Sequence, residues 1–249
     1  MVSGKPETPE GAERSQLTRV GSFTPYASLI ISISGVALVV AYMHQPRPTP
    51  SSLDAGFYTW VLFSTLCLLG AFATLFPHLC GRVAHHPEEL NALRTSTILG
   101  VQVIHGHHPP CVEFRGHEFT LKGKTFCASC MGLLLGAFTA IVIASLHFLF
   151  DISFPPVTAF IGLGCVVLGL LYIPFQRTDF QLLRSVFNVV LVVGFSLVLT
   201  GVDMLSSFEF ELVVIGLCVF WMYTRIQMSR WDHDRICRVC GFRCDRKEA

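Results

Sequence analysis

The sequence has few charged residues and many apolar ones. Only 14% of its 249 residues are Asp, Glu, Lys or Arg, whereas 52% are hydrophobic, and the mean hydropathy is +0.57. Soluble domains carry about 25% charged residues. This composition excludes a disordered chain and an ordinary soluble globular enzyme. The net charge of +1 leaves no basic excess to neutralise phosphates, so we expect no nucleic-acid partner.

Six apolar runs have the length of a membrane-spanning helix, which needs roughly 20 residues. They predict an all-α polytopic membrane protein with six transmembrane helices and a lipid bilayer as its surroundings. The runs cover residues 26–44, 57–77, 131–150, 156–175, 185–202 and 208–224. The predicted organisation is a mobile cytosolic tail at 1–25, helices 1 and 2 within 26–77, a cytosolic loop at 78–126, helices 3 to 6 within 127–224, and a cytosolic tail at 225–249.

The basic residues indicate how the spans are oriented. Four alternate segments, namely the two tails and the second and fourth loops, hold seventeen of the eighteen Lys and Arg residues, and the other loops hold only Arg47. Cytoplasmic segments accumulate Lys and Arg. We therefore predict a plasma-membrane protein with both termini in the cytoplasm.

Ionisable residues are scarce inside the apolar runs. His147 lies in the outer part of the third run, and Asp203 and Glu211 lie near the outer ends of the fifth and sixth. Asn188 is a single amide inside the fifth run. Ion-coupled carriers keep acids or bases near the middle of the membrane, so this scarcity argues against a transporter. For His147 we expect either a position near the interface or a bond to a neighbouring helix.

The cysteines divide unequally between the two sides of the membrane. Three of the ten lie inside spans, and no cysteine falls in an outer loop. The other seven lie in predicted cytoplasmic segments: Cys80, Cys111, Cys127, Cys130, Cys237, Cys240 and Cys244. Disulfides are rare in reducing compartments. Clustered cytosolic cysteines therefore indicate metal or thiol chemistry.

The loop at 78–126 and the start of the third helix after it contain seven of the eleven candidate metal ligands. The loop predicts a partly amphipathic helix from about His85 to Val103 in the membrane interface, and then a short hairpin around Gly123 that leads to Cys127. Cysteines at a helix start lie beside the positive end of the helix dipole, which favours the thiolate. The candidate ligands are His105, His107, His108, Cys111, His117, Cys127 and Cys130.

Cys111, His117, Cys127 and Cys130 match the ligand set of a closed tetrahedral zinc site. The three remaining histidines then form a second, more open site or replace one of the four ligands. Zinc is the predicted metal. Iron or an iron–sulfur cluster is the alternative, although the spacing fits no ferredoxin pattern.

The C-terminal tail carries a second Cys/His cluster, in which Cys237-Arg-Val-Cys240-Gly predicts a tight turn of the zinc-knuckle type. The candidate ligands are His233, Cys237, Cys240 and Cys244. Two arrangements remain open. The tail forms its own site, or Cys237 and Cys240 join Cys127 and Cys130 in one four-thiolate site.

The runs HGHHPPCVEFRGHEF and FCASCMGLLLGA, within His105 to Ala137, resemble a prokaryotic family of small integral membrane proteins, domain of unknown function family two-oh-eight-five. The resemblance implies a Cys/His-rich stretch leading to a CxxC that opens a transmembrane helix. Met131 departs from the small polar residue expected there. The resemblance implies a site and no reaction.

Three functions fit these observations. The first is a zinc-type Cys/His site that stabilises a docking domain for a protein partner at the cytosolic face. The second is a metal-dependent enzyme acting on a lipid-linked substrate, with Glu113 or Glu118 beside the histidines. The third is a thiol or quinone oxidoreductase that uses Cys127 and Cys130. Whether the protein is an enzyme is left open.

Overall fold

The computed structural model describes residues 9–44, 53–76, 95–98, 101–104, 116–172 and 181–240. In these ranges the chain forms six helices and two short hairpins. The elements are α1 Pro9–Met43, α2 Leu53–Leu75, β1 Thr95–Ile98, β2 Val101–Ile104, β3 Glu118–Leu121, β4 Lys124–Cys127, α3 Ala128–Phe148, α4 Val157–Leu171, α5 Gln181–Asp203 and α6 Phe208–Cys240.

Each of the six predicted apolar runs contains a helix, and five of the helices are long and apolar enough to cross a membrane. The five apolar segments are Pro25–Met43, Ala55–Leu75, Ala128–Phe148, Gln181–Asp203 and Phe208–His233. Helix α4 is apolar but has only 15 residues, which corresponds to about 22 Å.

Helices α3 and α5 run in the same direction. Near their starts Gly132 of α3 lies against Ser185 of α5. At their ends the His147 ring of α3 contacts the Asp203 carboxylate of α5, with 3.0 Å between Nε2 and Oδ2. The chain must therefore return from the end of α3 to the start of α5, and α4 is the helix that makes this return.

Helices α1 and α6 are antiparallel along their apolar lengths. Tyr26 contacts Trp231 near one end, and Tyr42 stacks on Phe210 near the other. Polar segments therefore lie at both ends of the bundle.

The bundle has two ends, the Cys127 end and the His147 end. The Cys127 end contains the starts of α3 and α5 and the later part of α6. The His147 end contains the end of α3 and the starts of α2 and α6. The start of α2 is placed there by Gly56, which lies against Phe148.

Glycines allow α4 and α5 to pack closely. A Cβ added at Gly162 of α4 would lie 2.6 Å from the backbone nitrogen of Val198 and 2.7 Å from the carbonyl oxygen of Gly194. Small residues at helix crossings give membrane helices their van der Waals contact. Because backbone faces backbone here, no side-chain rotation can make room for a larger residue.

The hairpin before α3 forms as the sequence predicts. Strands β3 and β4 pair antiparallel, with Leu121 opposite Lys124 and Glu118 opposite Cys127. The two loop residues, Lys122 and Gly123, both have positive φ, at 50° and 76°. This is the geometry of a type I′ turn, whose twist matches that of the flanking strands.

The predicted interfacial helix is wrong over residues 95–98 and 101–103. This stretch forms a second hairpin, in which β1 pairs antiparallel with β2, with Thr95 opposite Ile104 and Ile98 opposite Val101. Six of the eight strand residues are β-branched, and β-branched residues favour strands over helices. The earlier part of the predicted helix lies outside the described residues.

Both terminal helices are longer than the apolar runs that predicted them. Helix α1 starts at Pro9, so residues 9–25 of the predicted tail are helical. Helix α6 continues past Thr224 to Cys240. The tight turn predicted at Cys237–Cys240 is therefore wrong, because the helix extends through both residues.

We expect Gly162→Ala to lower the free energy of unfolding by about 1 to 3 kcal/mol, the usual cost of overpacking. Gly164→Ala in the same helix is the matched control, since nothing lies within 4 Å of a Cβ added there. Thermal unfolding of both variants in the same detergent measures the difference. Equal stabilities would contradict the close α4–α5 contact.

Candidate functional site

Two cysteines lie at the start of α3. Cys127 is the last residue of β4 and the N-cap of α3, and Cys130 lies in the first turn of the helix. Their thiols are hydrogen-bonded to each other, and the pair is not oxidised to a disulfide. Cys127 is only 1% exposed, whereas Cys130 is partly exposed. The hairpin and the helix thus place a dithiol at one end of the bundle.

A buried arginine on α6 lies beside this dithiol. Arg225 is 4% exposed and interacts electrostatically with both thiols. Its Nε donates to the Asn188 side-chain oxygen at 2.8 Å, and the Asn188 amide donates to the carbonyl oxygen of Arg184, also at 2.8 Å. Asn188 is thus a fixed acceptor that orients the guanidinium.

A second buried arginine, on α5, joins the hairpin to α6. Arg184 is 4% exposed, and its NH1 donates to His117 Nδ1 at 2.9 Å. The same nitrogen lies 3.4 Å from Oδ2 of Asp232. Because an arginine can only donate, His117 accepts at Nδ1 and carries its proton at Nε2 when it is neutral. That Nε2 faces the Asp232 carboxylate at 3.9 Å.

Charged groups are buried together in this cluster. The Asp232 carboxylate interacts electrostatically with both guanidiniums. Arg184, Arg225 and Asp232 are 4%, 4% and 8% exposed. Buried charges are costly unless they are paired. Cys127 interacts electrostatically with both guanidiniums, and Cys130 interacts with that of Arg225.

The described residues do not form the predicted closed metal site. No group of three His, Cys, Asp or Glu side chains within the described ranges is placed to hold a metal ion. His117, Cys127 and Cys130 come to the same end of the bundle, but His117 contacts Arg184 and faces Asp232.

The remaining predicted ligands fall into two groups. His233, Cys237 and Cys240 belong to α6. The others lie outside the described residues: His105, His107, His108, Cys111 and Cys244.

The opposite end of the bundle has its own polar contacts. His147 approaches the carbonyl oxygen of Ile152 through Nδ1 and the carboxylate of Asp203 through Nε2, at 3.1 and 3.0 Å. Thr59 donates to the fully buried Glu211, which joins α2 to α6. His147 therefore bonds to a neighbouring helix, one of its two expected environments.

Sequence reasoning missed three charged residues of the Cys127 end. Arg184 and Arg225 count as ordinary loop and tail charges in the charge pattern, and Asp232 lies beyond the predicted sixth span. Helical spacing was the available signal. Arg184 and Asn188 are four residues apart, and Arg225 and Asp232 are seven apart, so each pair lies on one helix face.

We expect Asp232→Asn to destabilise the protein by about 3 to 5 kcal/mol, because it leaves a buried guanidinium without its carboxylate. Asp151→Asn, at an exposed position, is the control. Thermal unfolding monitored by circular dichroism compares the two variants. A melting temperature of Asp232→Asn equal to that of the control would show that the carboxylate does not compensate Arg184.

Comparison with known proteins finds no matching family model, no matching curated protein and no matching solved structure. The resemblance of residues 105–137 to the unknown-function membrane family is therefore a proposal that rests on the motif alone.

Proposed function

We propose that this protein is a membrane-embedded thiol oxidoreductase whose reactive group is the pair Cys127 and Cys130. The observation that carries this proposal is the contact between the thiols of Cys127 and Cys130 at a helix start, beside the buried guanidinium of Arg225. The thiolate is the form that attacks a disulfide, so the exchange begins when Cys130 loses its proton.

The reaction exchanges one disulfide for another. Cys130, the more exposed thiol, attacks a sulfur of the substrate disulfide and releases one half as a thiol. Cys127 then attacks the Cys130 sulfur of the mixed disulfide and releases the second half. The two protein thiols lose two electrons and two protons, and the substrate gains them. A quinone, which takes up the same electrons and protons to become a quinol, is the alternative acceptor.

A structural zinc site is the second candidate. The observation that favours it is the hairpin that leads directly into a CxxC at a helix start, because this arrangement brings two thiolates together in many zinc sites. Such a site needs two further ligands, which the predicted sets supply either from Cys111 with a histidine of the loop or from Cys237 and Cys240 of the tail. It would stabilise a docking domain for a protein partner.

We also propose the membrane arrangement. The six helices all cross the plasma membrane, because the parallel packing of α3 and α5 requires α4 to return between them. The Cys127 end faces the cytoplasm, in agreement with the positive-inside rule. The dithiol then lies in a reducing compartment.

The reduction potential of the pair tests the oxidoreductase function. We expect a value between about −270 and −120 mV, the range of exchange-active CxxC proteins. Purified protein is equilibrated in glutathione buffers, and mass spectrometry follows the Cys127–Cys130 disulfide. Cys165→Ser, at a half-buried thiol of α4 outside the cluster, is the control and leaves the potential unchanged.

Elemental analysis of the same preparation separates the two candidates. One equivalent of zinc that is retained by the wild type and lost in both Cys127→Ser and Cys130→Ser would establish the zinc site and contradict the oxidoreductase function. Metal-free protein that forms the disulfide reversibly supports the oxidoreductase.

The proposed orientation predicts which introduced cysteines a membrane-impermeant reagent can label from outside the cell. We expect a membrane-impermeant maleimide to label Ser153→Cys in intact cells, because this exposed residue lies at the His147 end. Thr120→Cys, an exposed residue in the hairpin at the Cys127 end, should be labelled only after permeabilisation. The opposite labelling pattern would show that the Cys127 end faces the outside of the cell.

A further inference from the structure

The imidazole ring of His147 has an oxygen atom beside each of its two nitrogens. Nδ1 lies 3.1 Å from the carbonyl oxygen of Ile152, and Nε2 lies 3.0 Å from Oδ2 of Asp203. His147 is 7% exposed, and its ring contacts the rings of Phe148 and Phe154. The ring thus links the end of α3 both to the connection that follows it and to the end of α5.

These two contacts together require one proton more than a neutral ring and an ionised carboxylate carry. A backbone carbonyl oxygen can only accept, so Nδ1 must donate to Ile152. A neutral imidazole then has no proton at Nε2, and its lone pair faces the negative oxygen of Asp203. Both bonds form only when Nε2 is also protonated, or when the carboxyl group of Asp203 is protonated and donates to Nε2.

Carboxyl groups from two other helices act on this ring. Asp203 belongs to α5, and Glu211 of α6 interacts with the ring electrostatically. Glu211 is fully buried and accepts a hydrogen bond from Thr59 of α2. Asp151, in the connection after α3, is exposed. Asp203 and Glu211, when ionised, favour a positively charged ring, because opposite charges attract strongly where water is excluded.

We infer that His147 and Asp203 form a proton-binding site, in which one bound proton joins the end of α3 to the end of α5. This goes beyond the proposed thiol chemistry, which lies at the other end of the bundle and uses neither residue. Asp203 is the last residue of α5, and its side chain is 18% exposed, so a proton can reach the pair from solvent. In the proposed orientation that solvent is the outside of the cell.

Release of the proton breaks one of the two bonds of the ring. A neutral ring protonated at Nδ1 keeps Ile152 and loses Asp203, whereas a ring protonated at Nε2 keeps Asp203 and loses Ile152. The first case frees the end of α3 from α5, and the second frees the connection after α3. The two helices remain packed elsewhere, because Gly132 and Gly136 of α3 lie against α5. The proton therefore controls a local contact and leaves the rest of the bundle in place.

The pH dependence of thermal stability tests this site. A proton that joins two helices stabilises the folded protein, so its loss at higher pH destabilises the protein. Melting temperatures of the full chain in neutral detergent are measured between about pH 5 and about pH 8, the range in which histidine ordinarily titrates. We expect the wild type to lose about 2 to 4 °C over this range relative to Asp203→Asn.

Asp203→Asn removes the need for the additional proton. The asparagine amide can donate to Nε2 of His147 while the neutral ring donates to Ile152, so both bonds form throughout this pH range. We expect this variant to fold and to lack the loss of stability with pH. Asp151→Asn makes the same substitution at an exposed carboxylate of the same end and keeps the wild-type profile. A purely structural role of Asp203 would instead lower the melting temperature of Asp203→Asn equally at every pH.

His147→Gln provides a second variant, because glutamine carries no titrating proton, and its profile should also be flat. His44→Gln, at an exposed histidine of the same end, is its control and keeps the wild-type profile. Either variant decides the test if the other does not fold. A variant at His147 or Asp203 that loses stability with pH as the wild type does overturns the inference. A wild-type melting temperature that does not fall with pH overturns it even if neither variant folds.

Discussion

Placing two guanidinium groups inside an apolar helix bundle is the constraint that organises the Cys127 end. A buried charge is tolerated only where partners replace the water that it loses. Arg184 meets this requirement through His117 and Asp232, and Arg225 meets it through Asn188. These contacts involve the hairpin, α5 and α6, so a single electrostatic requirement fixes three parts of the chain relative to one another.

Close packing of α3, α4 and α5 complements this constraint. In a membrane the lipid is as apolar as the side chains, so helices gain little from hydrophobic contact and depend on van der Waals packing and polar bonds. Gly132 and Gly162 let backbones approach until almost no space remains. The close approach brings Asn188 to the start of α3, where it lies against Gly132 and bonds to the arginine of α6.

The positions of the helices could be predicted from the sequence, because a long apolar run can adopt few structures other than a membrane-spanning helix. The β3–β4 hairpin was also predictable, since Lys122-Gly123 suits a type I′ turn. The β1–β2 hairpin was not, because Leu99 and Val103 fit a helical period while the neighbouring β-branched residues favour strands. The cysteine pair was found by spacing. The environment of the pair could not be predicted, because Arg184, Arg225 and Asp232 become neighbours only after α5 and α6 pack. In the sequence, the two arginines are explained equally well as loop and tail charges that follow the positive-inside rule.

Cys127 closes one hairpin strand and caps the following helix, with no linker between the two. The backbone torsions of this one residue therefore set both the direction of the strand and the position of its sulfur. The exposed turn at Lys122 and Gly123 and the first turn of α3 are therefore joined through a single short strand.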